Sequence, residues 1–371
     1  MKLNYKLGEL IRNIDVKNKY LHCNNLKGLS MTKEFRASTS NIVGTDLSKY
    51  KIVAYKQFAC DFMSAIRVHK MPIAFNSEME EILVSPAYAV FEVIDENIIL
   101  PEYLMMWFRR SEFDRYADFR SDAAIRGGYG WNELCETEIK LPSLEEQRKK
   151  VQAYKTITDR IELKKKINDN LLDSVQAIFR SWFVDYDPFD GVCPSNWETG
   201  CVEDIAEFFD SMRKPLSSLE RTDMERIYPY YGAVSIVDYV DDYIFDGEYL
   251  LVSEDGIYVV DENGHPLIQH ISGKFWANNH AHILKGKSGF NEDSLYLFLA
   301  NTNMAPIVTG AAQPKINQAN LKSFPITIPD SETMLKFNNI IQPFFDQRLT
   351  NESEIKKLEA LQSLLLTRLV D

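Results

Sequence analysis

Along most of the chain, apolar residues either alternate with polar ones or bunch into short runs. "YKIVAY", "EILVSPAYAVFEVI", "EYLLVSEDGIYVV" and "AHILKG" read as strands, with Gly, Asn and Pro at the joints. Twice this pattern gives way to a long helical one, Glu145 to Phe183 and Glu332 to Val370. In the first rod Val151, Tyr154, Ile161, Leu172, Val175, Phe179 and Trp182 fall near a heptad frame, and in the second Ile341, Phe344, Ile355, Leu358, Leu365 and Leu369 do. These positions are the predicted seam, with Lys/Glu-rich faces turned outward. Polar residues interrupt each frame near its middle, Lys165 and Asn168 in one, Arg348 and Asn351 in the other; such breaks either fix register or simply face solvent. Pro343 lacks a backbone donor and is predicted to kink or split the second rod in its early turns.

The chain repeats itself. Pro142 and Pro329 lie 187 positions apart, and the same offset carries Leu134 onto Leu321, Leu171 onto Leu358, Ile178 onto Leu365 and Trp182 onto Leu369. Upstream, "ILPEYLMMWF" matches "NEDSLYLFLA" as a short amphipathic helix, and "YKLGELI" opens one half as "GCVEDIA" opens the other. The expected fold is therefore α+β with a pseudo-two-fold internal repeat. Residues 1–142 form a first globule, 143–190 a long helix and linker, 191–329 a second globule and 330–371 a second long helix. A helix of ~39 residues is about 58 Å long at ~1.5 Å per residue. Paired antiparallel as a coiled coil, two such helices would hold the globules apart; a helical arm for dimerisation or for joining partner proteins is the other reading.

Composition narrows the function classes. The chain has 371 residues, 45% of them hydrophobic, enough for real cores. No apolar run approaches the ~20 residues of a membrane helix, and the N-terminus lacks a signal-peptide core, so a cytoplasmic protein is expected. The five cysteines are scattered without a C-x-x-C, suggesting neither a disulfide framework nor a zinc site. A net charge of -12 argues against coating nucleic acid by bulk charge, but not against local basic patches.

With this layout, "LPSLEEQRK" before the first rod and the run "YPYYGAVSIVDYVDDYIFDGEYLLVSEDG", "WANNHAHILKG" and "GAAQPKINQANLKSFPITIP" in the second globule, the chain resembles the specificity subunits of type I restriction-modification systems. The second rod departs from the pattern, with Thr333-Met334 where Glu-Gln is usual. The resemblance implies two target-recognition domains, each reading half of an asymmetric bipartite site on double-stranded DNA, with the helices setting the half-site spacing. Two methyltransferase subunits would dock on the helices and globules, and motor-nuclease subunits would join for cleavage. S-adenosylmethionine, ATP and Mg²⁺ would belong to those partners, and the chain itself would catalyse nothing.

The residues support no enzyme reading of their own. No N/D-P-P-Y/F loop of a base methyltransferase is present, and "AHILKGKS" lacks the first glycine of a phosphate cradle. The E-x-K candidates, Glu162 to Lys164 and Glu354 to Lys356, lie on the rods as solvated charge. His280 and His282 would share a strand face, without an evident third ligand, so no metal is expected. Base reading needs few side chains in a groove, with phosphate contacts for affinity. Two stretches of the second globule contain no acid. His265 to Gly289 offers Lys274, Asn278, Asn279 and His280, and Gly310 to Ser323 offers Gln313, Lys315, Asn317, Gln318 and Asn320. In the first globule the candidates are Lys56, Arg67 and His69 at strand ends, and Arg120, Arg126, Tyr129, Trp131 and Asn132 around a glycine loop. A scaffold without DNA reading, or a stand-alone nuclease or methyltransferase of unfamiliar design, are the rival functions.

Overall fold

The computed structural model describes residues 4–39, 44–63, 70–122, 129–256, 259–310 and 312–368. The chain packs into two compact units, Met1–Lys164 with Ser353–Asp371, and Lys165–Glu352. Both mix helix and sheet, and each contains part of both long helices.

The first unit runs through nine short strands: β1 (Asn4–Lys6), β2 (Ile11–Ile14), β3 (Lys27–Leu29), β4 (Phe35–Ala37), β5 (Lys51–Val53), β6 (Gln57–Cys60), β7 (Ile73–Phe75), β8 (Ile82–Val84) and β9 (Ala89–Val93). Helices α1 (Pro101–Phe108), α2 (Ser111–Asp122) and α3 (Trp131–Glu136) follow, then β10 (Glu138–Lys140) and the long α4 (Leu144–Phe183). The central antiparallel sheet has the order β2-β9-β6-β7. Phe58 of β6 stacks on Phe91 of β9 with ring centroids 5.0 Å apart, and Tyr103, Leu104 and Phe108 of α1 are fully buried in the same core. Pro101 suits the start of α1, where its missing N–H would have had no intrahelical partner. β1 pairs with β10, Asn4 opposite Lys140, so the start of the unit is tied to the strand leading into α4.

The second unit begins with β11 (Glu198–Cys201), α5 (Val202–Ile205), β12 (Ala206–Phe208) and α6 (Ser218–Thr222), followed by β13 (Tyr228–Tyr231), β14 (Ile236–Val240), β15 (Phe245–Ser253), β16 (Ile268–Ala277) and β17 (Ala281–Gly286). It ends with α7 (Glu292–Ala300), α8 (Gln318–Lys322), β18 (Pro325–Ile328) and the long α9 (Ser331–Thr367). Its six-stranded sheet has the order β12-β17-β15-β16-β13-β14. Alternation along β15 and β17 sends Leu250, Val252 and Leu284 toward α7 and Phe245, Tyr249 and Ile283 into a core on the other face. β11 pairs with β18, Glu198 opposite Ile328, closing this unit as β1 and β10 close the first.

Within each unit the portions of α4 and α9 run antiparallel. In the first, Gln362 Nε2 donates to Thr158 Oγ1 at 2.7 Å, and Arg160 and Lys164 both pair with Glu354. In the second, Asn351 Nδ2 donates to Asn168 Oδ1 at 2.7 Å, while Phe179, Trp182 and Phe183 close on Phe337. Of the polar breaks in the two frames, Asn168 and Asn351 thus meet in the buried seam, where Asn168 accepts from Asn351 and donates its own Nδ2 to the Arg348 carbonyl at 3.4 Å.

Pro343 does not split the second helix: α9 continues through it without interruption. Its ring and Asn339, whose carbonyl it deprives of a donor, are both exposed, so water can take the missing bond. Ile341 and Phe345 on either side are buried and hold the helix to the core.

Candidate nucleic-acid interface

In the second globule the two acid-free stretches meet. The first forms β16, a tight turn and β17; the second forms the loop before α8. They are joined by His282, fully buried, whose Nε2 lies 2.8 Å from the carbonyl of Ile316. Its Nδ1 lies 2.6 Å from Asp210 Oδ2, and Glu254 completes a cluster in which ligand atoms of Asp210, Glu254 and His282 lie within 4.8 Å of one another.

This donor set has metal-ligand chemistry, but the geometry uses it otherwise. Arg213 Nη1 pairs with Glu254 at 2.5 Å and its Nη2 reaches Asp210 at 3.3 Å, while Lys315 Nζ pairs with Glu254 at 2.8 Å. Both ring nitrogens of His282 are already engaged. Burial pushes the Asp210 carboxyl up, yet the hydrogen bonds from His282 and the Ile283 N–H and the nearby Arg213 leave it below the usual range. For Glu254 burial is likewise outweighed by hydrogen bonds from Lys315 and Arg213. The result is a satisfied ion-pair network that fixes the β16–β17 turn against the loop before α8. Asp210, Arg213 and Glu254 carried no signal in the sequence, since they lie up to 72 positions from their partner His282.

The network also reassigns several candidates. His280 turns away from His282 and sits 2.6 Å from Asp255 Oδ1. Lys315 is held by Glu254, which raises its pKa and takes up its charge. Asn278 is buried, with its Oδ1 accepting from the His280 N–H at 2.9 Å, so it shapes the turn rather than facing a groove. Asn317 caps α8 by accepting from the Asn320 N–H at 2.8 Å, and Asn320 Nδ2 points to the Ile307 carbonyl. Gln318, in the first turn of α8, is half-buried. Asn279 and Gln313 are exposed. Lys274 is exposed and lies 4.4 Å from the Tyr243 ring centre, whose hydroxyl raises the lysine pKa. β17 is a paired strand followed by a turn, so "AHILKGKS" forms no phosphate cradle.

In the first globule Tyr129 is a core residue, with its hydroxyl 2.7 Å from Thr137 Oγ1, and burial pushes its pKa far up. Trp131 is half-buried against Phe91 at 5.7 Å, and Lys56 pairs with Glu96 at 2.6 Å. Asn132 on α3 and Arg120 on α2 are exposed. Arg67, His69 and Arg126 lie outside the described residues.

Residues 194–361 match the family model described as the type I restriction modification DNA specificity domain. A Haemophilus influenzae chain named as a type I restriction enzyme specificity subunit, S.HindORF215P, is 39% identical over 128 residues, covering 34% of this chain and 32% of that one. The MjaIX specificity subunit of Methanocaldococcus jannaschii is 24% identical over 303 residues, covering 75% of this chain and 70% of that one. The family match thus lies in the second half of the chain, and most of the chain's length is similar to a type I specificity subunit. The crystal structure of the S subunit from M. genitalium shares the fold across 99% of this chain and 96% of its own, with a TM-score of 0.55 at 12% identity.

The seam positions divide between the units. Tyr154 and Ile161 are buried and Val151, Leu358 and Leu365 half-buried or packed at the core edge. Ile355 is buried in the same unit, whereas Val175, Phe179 and Ile341 are buried in the second, with Leu172, Trp182 and Phe344 half-buried there. Leu369 lies outside the described residues. No helix among the described residues is long and apolar enough to cross a membrane.

Proposed function

We propose that this chain reads DNA sequence for a type I restriction-modification complex, each globule recognising one half of an asymmetric bipartite target. The observation that carries this reading is the match of residues 194–361 to a DNA specificity domain in a chain whose first half repeats the same globule and helix order. The helices set the spacing between half-sites and dock two methyltransferase subunits, and motor-nuclease subunits complete the assembly. S-adenosylmethionine, ATP and Mg²⁺ act on those partners, and the chain itself is non-catalytic.

Mapping methylated bases in a host genome, with the gene present and deleted, tests the reading. The expected result is loss of one two-part motif with a fixed gap. An uninterrupted motif, or methylation independent of the gene, would overturn it. Replacing residues 191–329 by the corresponding globule of another family member should change one half of the motif and leave the other intact.

A further inference from the structure

Three concave sites in the two units are rimmed by carboxylates: Glu102 and Glu162 beside Arg109, Glu112 and Glu138 beside Arg110, and Glu352 beside Arg348. A fourth, a cavity of about 140 Å³ on the β3–β4 hairpin of the first globule, has no Asp or Glu in its lining. In a chain of net charge -12 that is a marked local departure. Its polar lining includes Lys27, Arg36, Ser38, Thr39, Ser85 and Tyr88.

The hairpin presents the guanidinium by an economical device. Gly28 of β3 stands opposite Arg36 of β4, and because it has no side chain the guanidinium lies across it, 3.5 Å from where a Cβ would be. Among the described residues Arg36 hydrogen-bonds to neutral acceptors: Nε to the Leu29 carbonyl at 3.3 Å, Nη1 to the Ala37 carbonyl at 3.2 Å and to Thr39 Oγ1 at 3.4 Å. The hydroxyls add donors. Ser85 Oγ accepts from the Ala87 N–H at 3.3 Å, which leaves its proton to donate, and burial pushes the Tyr88 hydroxyl up, so it stays protonated. Behind the site Lys51 Nζ donates to the Tyr88 carbonyl at 2.8 Å. Asp61, outside the lining, is the carboxylate whose charge reaches Tyr88, opposed by that of Arg36.

A guanidinium fork, an ammonium and several hydroxyl donors without a competing carboxylate match a tetrahedral phosphate oxyanion. Arg, Lys, Ser and Thr are also the side chains that contact DNA phosphates. Arg36 and Thr39 are exposed, so the site is open to a phosphate still joined to a chain. We propose that this cavity seats one backbone phosphate of the DNA read by the first globule. The assignment rests on the DNA-reading function proposed above.

The test uses the full chain in three arms: inorganic phosphate titrated against the Arg36 Nε–Hε NMR resonance, salt-dependent binding of a double-stranded DNA to the wild type, and the same binding to Arg36→Gln and Lys27→Gln, with circular dichroism confirming that both fold. Phosphate is expected to shift the Arg36 resonance. Each variant is expected to lower the slope of log K against log salt by about 0.9 and to weaken binding roughly tenfold at ~0.1 M salt. If the wild type binds DNA and both variants keep its slope and affinity, the cavity is not a DNA-phosphate site, while the DNA-reading function stands. If phosphate shifts Arg36 but the wild type binds no DNA at any salt, the DNA-reading function itself falls and the site is one for free phosphate, which overturns the proposal as well.

Discussion

The two long helices begin at equivalent positions, two residues after Pro142 and Pro329, and meet the same demand with different residues. At the start of α4, Glu146 accepts from the N–H and hydroxyl of Ser143 at 3.0 and 2.8 Å, and Ser143 Oγ accepts from the Glu146 N–H at 3.3 Å. At the start of α9 the acid has moved to the cap: Asp330 accepts from the N–H groups of Glu332 and Thr333 at 3.1 Å and from the Thr333 hydroxyl at 2.7 Å. One position further on, Gln147 and Met334 are both fully buried. Gln147 Oε1 accepts from the Leu100 N–H at 3.0 Å, and its Nε2 donates to the carbonyls of Ile98 and Pro142 at 3.0 and 3.1 Å. Leu100 caps α1 without a side-chain hydrogen bond of its own. In the second unit Asn291 caps α7, and its N–H is met locally by Ser294 Oγ at 3.1 Å, so the long helix can supply an apolar methionine instead. What the two halves share is backbone satisfaction, by whichever residue is near.

Exchanging the two buried side chains breaks this comparison hardest. Gln147→Met leaves the Leu100 N–H and the Ile98 carbonyl without partners and should cost about 4 kcal/mol, since each orphaned buried group costs roughly 1–3 kcal/mol. Met334→Gln buries an amide among apolar neighbours and should cost about 3 kcal/mol. Urea midpoints of the two variants measure both; a neutral Gln147→Met would mean the helix start does not depend on those bonds.

The local layer of this architecture was legible in the sequence: strand runs and two long helices follow from short-range periodicity, and the repeat from comparing positions 187 apart. Gln147 was legible only as first-turn helix chemistry, because the groups it serves lie 47 and 49 positions upstream. Asp210, Arg213 and Glu254 escaped for the same reason, and so their hold on His282 and Lys315 could not be read. Tyr129 and Asn278 have side chains that suit DNA, but the packing around them puts one in a core and the other in a turn. Composition locates acid-free stretches; it does not say which of their amides the backbone will claim.

The short helices sharpen the same contrast. α1 has Pro101 in its first turn, while the aligned position of α7 is Asp293, only 3% exposed. Burial, with Glu248, Asp346 and Glu292 nearby, raises the Asp293 carboxyl from 3.8 to about 7. A raised carboxyl means the folded state holds a proton the unfolded chain releases, so this group costs nothing below about pH 4 and progressively destabilises the fold as pH rises toward 7. Asp293→Asn should therefore gain stability over wild type between pH 4 and 8, by about 4 kcal/mol at the upper end. His270, which burial lowers to about 4, disfavours the fold as pH falls below 6.5; its Nδ1 lies 3.5 Å from Asp293 Oδ1, so the carboxylate's own effect is read above that pH, where the imidazole is neutral. Denaturant unfolding of both proteins across that range is the measurement, and a pH-independent difference would remove the ionised carboxylate as its source.

The caps should give the smallest effects, and they differ in pH response. Asp330→Ala removes an acceptor for two backbone N–H groups and should cost about 1 kcal/mol at neutral pH. The hydrogen bond from Thr333 is the largest influence holding the Asp330 carboxyl below its ordinary 3.8, with backbone N–H groups adding to it against the opposing effect of burial. A lowered carboxyl contributes stability above its unfolded pKa and loses it as pH falls through its folded one, so the cost of Asp330→Ala should shrink in acid. Ser143→Ala removes a hydroxyl and leaves the Glu146 carboxylate on the Ser143 N–H, so its cost at neutral pH should be smaller. Paired unfolding curves at neutral and acid pH decide the point. Equal costs with equal pH response in the two variants would show that moving the acid from the third helical position to the cap has no energetic consequence.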